Sequence, residues 1–382
     1  MKTIAIIGAS YLQRPLVEKA KEMGLRTICF AWPEGAVCRD ICDVFYPISI
    51  VEKEEILSVC CREKIDGICT IASDVAAPVV AYIANQLGLP GNDYAAAETS
   101  YNKNLMRQAF IKADVPCPKY CCITQEQIDG NELGAIPALW TMSLPLIVKP
   151  SDRSGSMAVM KVERGEDLLP AITKAQAVSF RHEAMVEEYI EGREISVEYI
   201  SYKGKHYPLQ ITDKVTTGSP HFVELEHHQP ANLSRAMFAE IYVITENALN
   251  ALGITNGASH SEYKITKEGR IAVIEIGGRM GGDFIGSDLV QLSTGYDFLR
   301  GVIQVALGTF EEPKHTEQHY SGVYFLSADT AEVKHYIDHY RDYPEIVKAE
   351  QTDDVLRHIT CSSDRSGYFV YHANRKFEIK KT

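Results

Sequence analysis

SHSEYKITKEGRIAVIEIGGRMGGD, residues 259–283, reads as two alternating strands joined by a short turn and closed by a run of glycines. On the first strand His260, Glu262 and Lys264 share a face, and on the second Ile271, Val273 and Glu275 share one. A two-residue turn at Glu268 and Gly269, or a symmetric four-residue loop, sets Glu262 directly opposite Glu275, with Cβ atoms roughly 4.5 to 5.5 Å apart. A three-residue loop throws them onto opposite faces. Opposed carboxylates repel each other, and a cation removes that cost. Magnesium is commonly held by one or two carboxylates together with nucleotide phosphates. A solvated hairpin face with two unrelated glutamates is the other reading of the same spacing. Gly277, Gly278, Gly281, Gly282 and Gly286 surround Arg279, so something approaches this backbone closely.

The chain around this hairpin has 382 residues, enough for two to three packed units. With 45% apolar and 24% charged residues it has the composition of a globular protein, and it contains no apolar run long enough for a membrane span. A formal net charge of -12 argues against nucleic acid as a partner and favours a small ligand. The opening MKTIAIIGAS is too short for a signal peptide and breaks at Gly8, which predicts the first strand of a cytoplasmic protein. None of the ten cysteines forms a CxxC pair or has histidines at zinc spacing, so reduced thiols are expected.

Residues 3–9, 26–31 and 66–71 are apolar runs separated by helix-like stretches, the alternation of βαβ units on a parallel sheet. The first turn, Gly8 to Gln13, lacks the second and third glycines of the dinucleotide fingerprint, which leaves a nicotinamide dehydrogenase without its motif. VPCPKY, 115–120, marks a boundary. Beyond it hairpins dominate, and from about residue 318 a small α/β unit is expected.

Two further stretches carry chemistry. In KPSDRSGSMAV, 149–159, Lys149 ends an apolar strand and a loop containing Ser154, Gly155 and Ser156 can turn backbone N–H groups toward an anion; a plain hairpin turn explains it equally simply. In MVEEYIEGREISVE, 185–198, Glu187 and Ile190 lie in an expected extended connector whose backbone can pair with a purine edge, and Glu194 can accept from ribose hydroxyls. A polar turn before a strand is the alternative there.

In this order, SYNKNLMRQAF, VKPSDRSGS, VEEYIEGRE, EYKIT and VIEIGGRMGG resemble the ATP-grasp superfamily, its carboxylate-amine ligase branch in particular, across nearly the whole chain. The resemblance implies a mixed α/β and α+β architecture. A Rossmann-like domain would span 1–98, a linker helix and lid 99–190, an ATP-grasp core 191–312 and a small C-terminal α/β subdomain 313–382. It implies that Lys103 and Lys149 contact ATP phosphates beside Ser154, Gly155 and Ser156. Glu187 and Ile190 would read adenine, and Glu194 would hold ribose. Glu262 and Glu275 would carry Mg2+, and Arg279 would act with Lys149 on the acyl phosphate. FVELEHHQPA, 222–231, is similar to a substrate-lining segment of the amino-acid ligases, which puts His228 or His227, with Gly281 and Gly282, beside the substrates. Gly277 departs from the family pattern, which has asparagine there and hence one more oxygen ligand. The expected activity is an ADP-forming ligation of an amino acid or similar small carboxylate to an amine, and a homodimer is the expected assembly. A nucleotide-binding protein without turnover, and a ligase of purine or carbamoyl phosphate type, are the alternatives.

Overall fold

All five residues of Thr3–Ile7 (β1) are buried, as in a strand covered on both faces, and β1 pairs in parallel with Arg26–Phe30 (β2) and Gly67–Cys69 (β4). Val44–Tyr46 (β3), too short to show a period in the sequence, adds to β2 and completes the order β3-β2-β1-β4. The computed structural model describes residues 1–130, 134 and 136–380.

The helix Phe298–Ala306 lies far along the chain yet packs Val302, Ile303 and Val305 into the same core as Ile4, Ile6 and Leu16. Its approach is close: a Cβ on Gly67 would stand 2.7 Å from the Ala306 carbonyl oxygen. This helix ties the parallel sheet to the rest of the molecule.

Tyr120–Thr124 (β5), Leu146–Pro150 (β6), Met160–Val162 (β7) and Glu183–Glu188 (β8) form an antiparallel sheet in the order β5-β8-β6-β7, backed by the helix Leu168–Val178. β7 is short because 157–159 belong to the preceding loop.

A third sheet has eight strands. Arg193–Tyr202 (β9) and Lys205–Thr216 (β10) form a hairpin whose two turn residues, Lys203 and Gly204, both have positive φ, as a type I′ turn requires. Glu224–Gln229 (β11), Gly257–Ile265 (β12) and Ile271–Gly277 (β13) extend it. Tyr320–Leu326 (β14), Ile346–Gln351 (β15) and Gly367–Ala373 (β16), from the small C-terminal unit, continue the same sheet, in the order β13-β12-β9-β10-β11-β14-β16-β15. The helix Arg235–Leu252 buries Ile241, Ala248 and Leu249 against Val197, Ile211 and Tyr263 of this sheet. All ten cysteines are free. Among the described residues no helix is long and apolar enough to cross a membrane.

Candidate active site

The β12–β13 turn has three residues, Lys267, Glu268 and Gly269, closed by a 2.9 Å bond from the Thr266 N–H to the Arg270 carbonyl. That corrects the expected two- or four-residue turn, and by itself would separate the two glutamates. Ile265, Lys264 and Tyr263 pair with Ile271, Ala272 and Val273; the register then shifts, and Glu262 pairs with Glu275. Ile274 is the extra residue of a β-bulge, and it restores the opposition that the turn removes.

Both carboxylates line a cavity of about 500 Å³ bounded by the four-stranded sheet, the eight-stranded sheet and the loop after β4. The Glu262 side chain, 35% exposed, meets Lys214 of β10 at 2.6 Å. The Glu275 side chain, 24% exposed, meets Lys103 at 2.9 Å. Lys103 opens the helix Lys103–Lys112, capped by Asn102, and its Nζ also donates to the Arg153 carbonyl at 2.7 Å. One turn later Arg107, with none of its side chain exposed, reaches Glu187 at 2.9 Å and the Ile274 carbonyl at 2.6 Å. The bulge is thus gripped by a buried guanidinium.

Lys149, near the end of β6, meets the other oxygen of Glu187 at 2.7 Å. Burial alone would raise the Glu187 carboxyl, but Arg107 and Lys149 hold it below its ordinary range. Burial, with Arg107 and Lys103 nearby, pushes Lys149 below the usual ammonium range against the pull of Glu187. The loop after β6 is anchored by Asp152, which accepts from the N–H groups of Phe180 and Arg181. Gly155, Ser156 and Ala158 take positive φ, and Ser154, Gly155 and Ser156 are exposed and line the cavity. Ile190 and Glu194 line the same space, the latter paired with Lys264 at 2.6 Å.

Arg279 enters from the end of β13 and donates to both oxygens of Asp74, at 2.7 and 2.9 Å. Its proton is held above even the normal guanidinium range, burial opposing and Asp74 enforcing the shift. A Cβ at Gly277 would strike Oδ1 of Asp74, so the Asp74 carboxylate fills the space a side chain at 277 would need.

The family model of the ATP-grasp domain matches residues 142–288. The chain carries an ATP-grasp domain. Alanine–anticapsin ligase of Bacillus subtilis is 30% identical over 251 residues, 60% of this chain and 51% of that ligase. The chain spans about half the length of the curated relatives it matches. L-amino acid ligase from Bacillus licheniformis superposes with a TM-score of 0.78 at 22% identity, covering 98% of this chain and 94% of that one. N5-carboxyaminoimidazole synthetase from Staphylococcus aureus, complexed with ADP, gives 0.77 at 15% identity, with coverage of 98% and 94%. The likeness of fold to these two enzymes extends over nearly the whole chain.

At this site three expectations need correction. Glu187 lies inside β8, flanked by β5 and β6, rather than in an extended connector, and its side chain is spent on Arg107 and Lys149; the connector begins at Tyr189. His227 and His228 are neither surface residues nor cavity-lining ones. Each is 1% exposed, because β14 covers β11; His228 bonds Tyr371 at 3.0 Å and Glu226 at 2.8 Å, and His227 packs edge-on to Phe325. Gly281 and Gly282 line a separate small recess beside Tyr11 and Phe284. A Cβ at Gly281 would stand 2.7 Å from both Glu198 and His260, and the Gly281 N–H donates to Glu198 at 3.0 Å. The glycines make room for the protein's own carboxylates.

Asp74, Arg107, Lys214 and His260 were not singled out from the sequence. His260 lies between Glu198 and Glu262, and these carboxylates raise it above the ordinary imidazole range despite its burial. Lys214 was legible in part: it pairs across the ladder with Glu194, as does Lys264, so one face of β10, β9 and β12 alternates in charge. From the C-terminal unit, Thr360, Cys361 and Ser362 close one wall of the cavity.

Two carboxylates on paired positions, both turned into a cavity rimmed by lysines, form an all-oxygen donor set that fits a hard divalent cation carried with phosphate.

Proposed function

We propose that this chain is an ADP-forming ligase that joins a small carboxylate of the amino-acid class to an amine through an acyl phosphate. The observation that carries the reading is the convergence of Lys103, Lys149, Lys214 and Arg279 with the opposed Glu262 and Glu275 on one cavity. Phosphoryl transfer needs little covalent help from a protein, and its catalysis is chiefly positioning and charge stabilisation. A carboxylate oxygen of the substrate attacks the γ-phosphorus of ATP, the bond to the bridging oxygen breaks, and ADP leaves. The amine nitrogen then attacks the acyl carbon, the carbon–oxygen bond breaks, and phosphate leaves as the nitrogen loses a proton.

Lys103 and Lys149 hold the phosphate oxygens, pre-placed by Glu275 and Glu187, while the loop around Ser154, Gly155 and Ser156 covers them with backbone N–H groups. The backbone from Tyr189 to Ile190 receives the adenine edge, and Glu194 the ribose. Glu262 and Glu275 hold Mg2+, which neutralises charge on the phosphates when bound. Arg279, kept straight by Asp74, faces the oxygens of the transferred group. The likeness to alanine–anticapsin ligase and L-amino acid ligase supports an amino-acid substrate.

Nucleotide binding without turnover is the second reading, favoured by Gly277, where the family has an oxygen ligand. The deciding experiment measures ADP and phosphate release from Mg-ATP with amino acids and other small carboxylates, singly and with amines. Release that depends on both partners, with no AMP, is expected. Nucleotide binding with no release in any pool would favour the second reading.

A further inference from the structure

Away from the nucleotide cavity, Glu317, His319 and His372 bring three ligand atoms within 4.8 Å of one another. The sheet register puts them there. Tyr320 pairs with Ala373 and Ser321 with His372; one step beyond the strand end, His319 stands beside Asn374. Extended by one step, the register puts His319 on the face that carries His372 as a diagonal neighbour, and Glu317, in the irregular stretch before β14, lies within reach of both. The two imidazole rings lie 4.6 Å apart and nearly perpendicular.

The hydrogen bonds leave both histidines with a free nitrogen. Nδ1 of His319 meets Oδ1 of Asn374 at 3.1 Å. An amide oxygen only accepts, so Nδ1 carries the hydrogen, and Nε2 is left facing the Glu317 carboxylate at 3.7 Å. Nε2 of His372 is buried and has no hydrogen-bond partner among the described residues, an arrangement that costs desolvation without return.

We propose that Glu317, His319 and His372 form a zinc site, with its remaining coordination position open to water. Two imidazole nitrogens and one carboxylate oxygen suit zinc, whereas magnesium and calcium take oxygen ligands. Zinc bonds of about 2.0 to 2.2 Å require the side chains to close by only a fraction of their present separation. Asn374 supplies the outer contact that fixes the tautomer of His319. An ion here fastens the irregular connector that leads from the helix Phe298–Ala306 into β14 onto the end of β16.

The test titrates zinc into the metal-free full chain with excess Mg2+ present to occupy Glu262 and Glu275, and counts bound zinc after dialysis. The wild type is expected to hold one more zinc than His372→Ala or His319→Ala, and Asn374→Ala to bind that zinc about 10-fold more weakly. Zinc should raise the melting temperature of the wild type more than that of either histidine variant, and calcium should not reproduce the rise. ADP release under saturating Mg-ATP should be unchanged in His319→Ala. Should His372→Ala fail to fold, Glu317→Gln, at a side chain 47% exposed, takes its place. Equal zinc stoichiometry and an equal melting response in the wild type and the ligand variants would overturn the proposal.

Discussion

Arg279 and Asp74 lock the end of β13 to the loop after β4, with Nε and Nη2 each donating to a different carboxylate oxygen, at 2.7 and 2.9 Å. The pair is largely buried, with side chains 15% and 10% exposed. Removing one partner of such a pair leaves an uncompensated charge. Asp74→Ala is therefore expected to destabilise the chain by about 3–5 kcal/mol in urea titration. Gly277→Ala inserts a methyl group against Oδ1 of Asp74; it should displace the same pair and lower kcat/KM at least about 10-fold, as misplacement of a positioning group does. Wild-type turnover in Gly277→Ala would remove Arg279 from the proposed chemistry.

Glu275→Gln and Glu262→Gln test the opposed carboxylates directly. Each keeps the shape and removes a charge, so the circular dichroism spectrum should match the wild type while ADP release falls by about 100-fold or more. Glu275→Gln should be the less stable of the two, because Lys103, 5% exposed, then has no carboxylate contact among the described residues, whereas in Glu262→Gln the buried Lys214 keeps Glu224 at 3.3 Å. ATP consumption unaltered in Glu275→Gln would contradict the assignment.

The opposition of Glu262 and Glu275 was legible in the sequence although the turn joining their strands was not. Alternation fixes which residues share a face, but a bulge at Ile274 is specified by Arg107, which lies 167 positions away and bonds the Ile274 carbonyl. No local pattern contains that contact. Lys149 could be picked out because it ends an apolar strand, whereas Lys103, Ile190 and Glu194 were named through the family resemblance; all four line the cavity. Asp74 stands in a loop of another sheet, and a backbone bridge between Ile71 and Met280, with the Ala72 N–H donating to the Met280 carbonyl at 3.1 Å, brings that loop to Arg279. His228 misled because its neighbours look like an exposed polar run. β11 is buried by a strand that follows almost 100 residues later, and burial from a distant strand leaves no local mark.

The Glu187 ion pairs predict an acid limb in the stability profile. Its folded carboxyl is held below the ordinary value of 4.5, so its contribution is fully present above about pH 4.5 and is lost as pH falls through the folded value. Glu187→Gln leaves Arg107 and Lys149 buried without their carboxylate and should lower stability at pH 7 by about 3–5 kcal/mol. That gap should narrow steadily below pH 4.5. Urea midpoints of both proteins between neutral pH and pH 3 check it, and a gap independent of pH would mean that folding does not shift the Glu187 carboxyl.

Arg365 carries the last prediction, because it joins the C-terminal unit to the cavity. Its side chain, 8% exposed, meets Asp283 at 2.7 Å and Glu224 at 3.2 Å, donates to the Glu224 carbonyl at 2.9 Å and lies 3.9 Å over the ring of Phe325. Glu224 in turn shares Lys214 with Glu262. Arg365→Ala thus loosens two things at once: the segment that presents Thr360 to Ser362 to the cavity, and the partner that helps fix Lys214. Protease cleavage between 352 and 366 should rise, because that segment holds few buried groups of its own. The KM for ATP should increase by about 10-fold, with a smaller change in kcat, since the loss falls on ground-state binding as much as on the transition state. Arg365→Lys keeps the charge but not the fork that reaches Asp283 and Glu224 together, so it should rescue the KM only in part. Full rescue by lysine would show that charge alone matters at this position, and an unchanged KM in Arg365→Ala would separate the C-terminal unit from the nucleotide site.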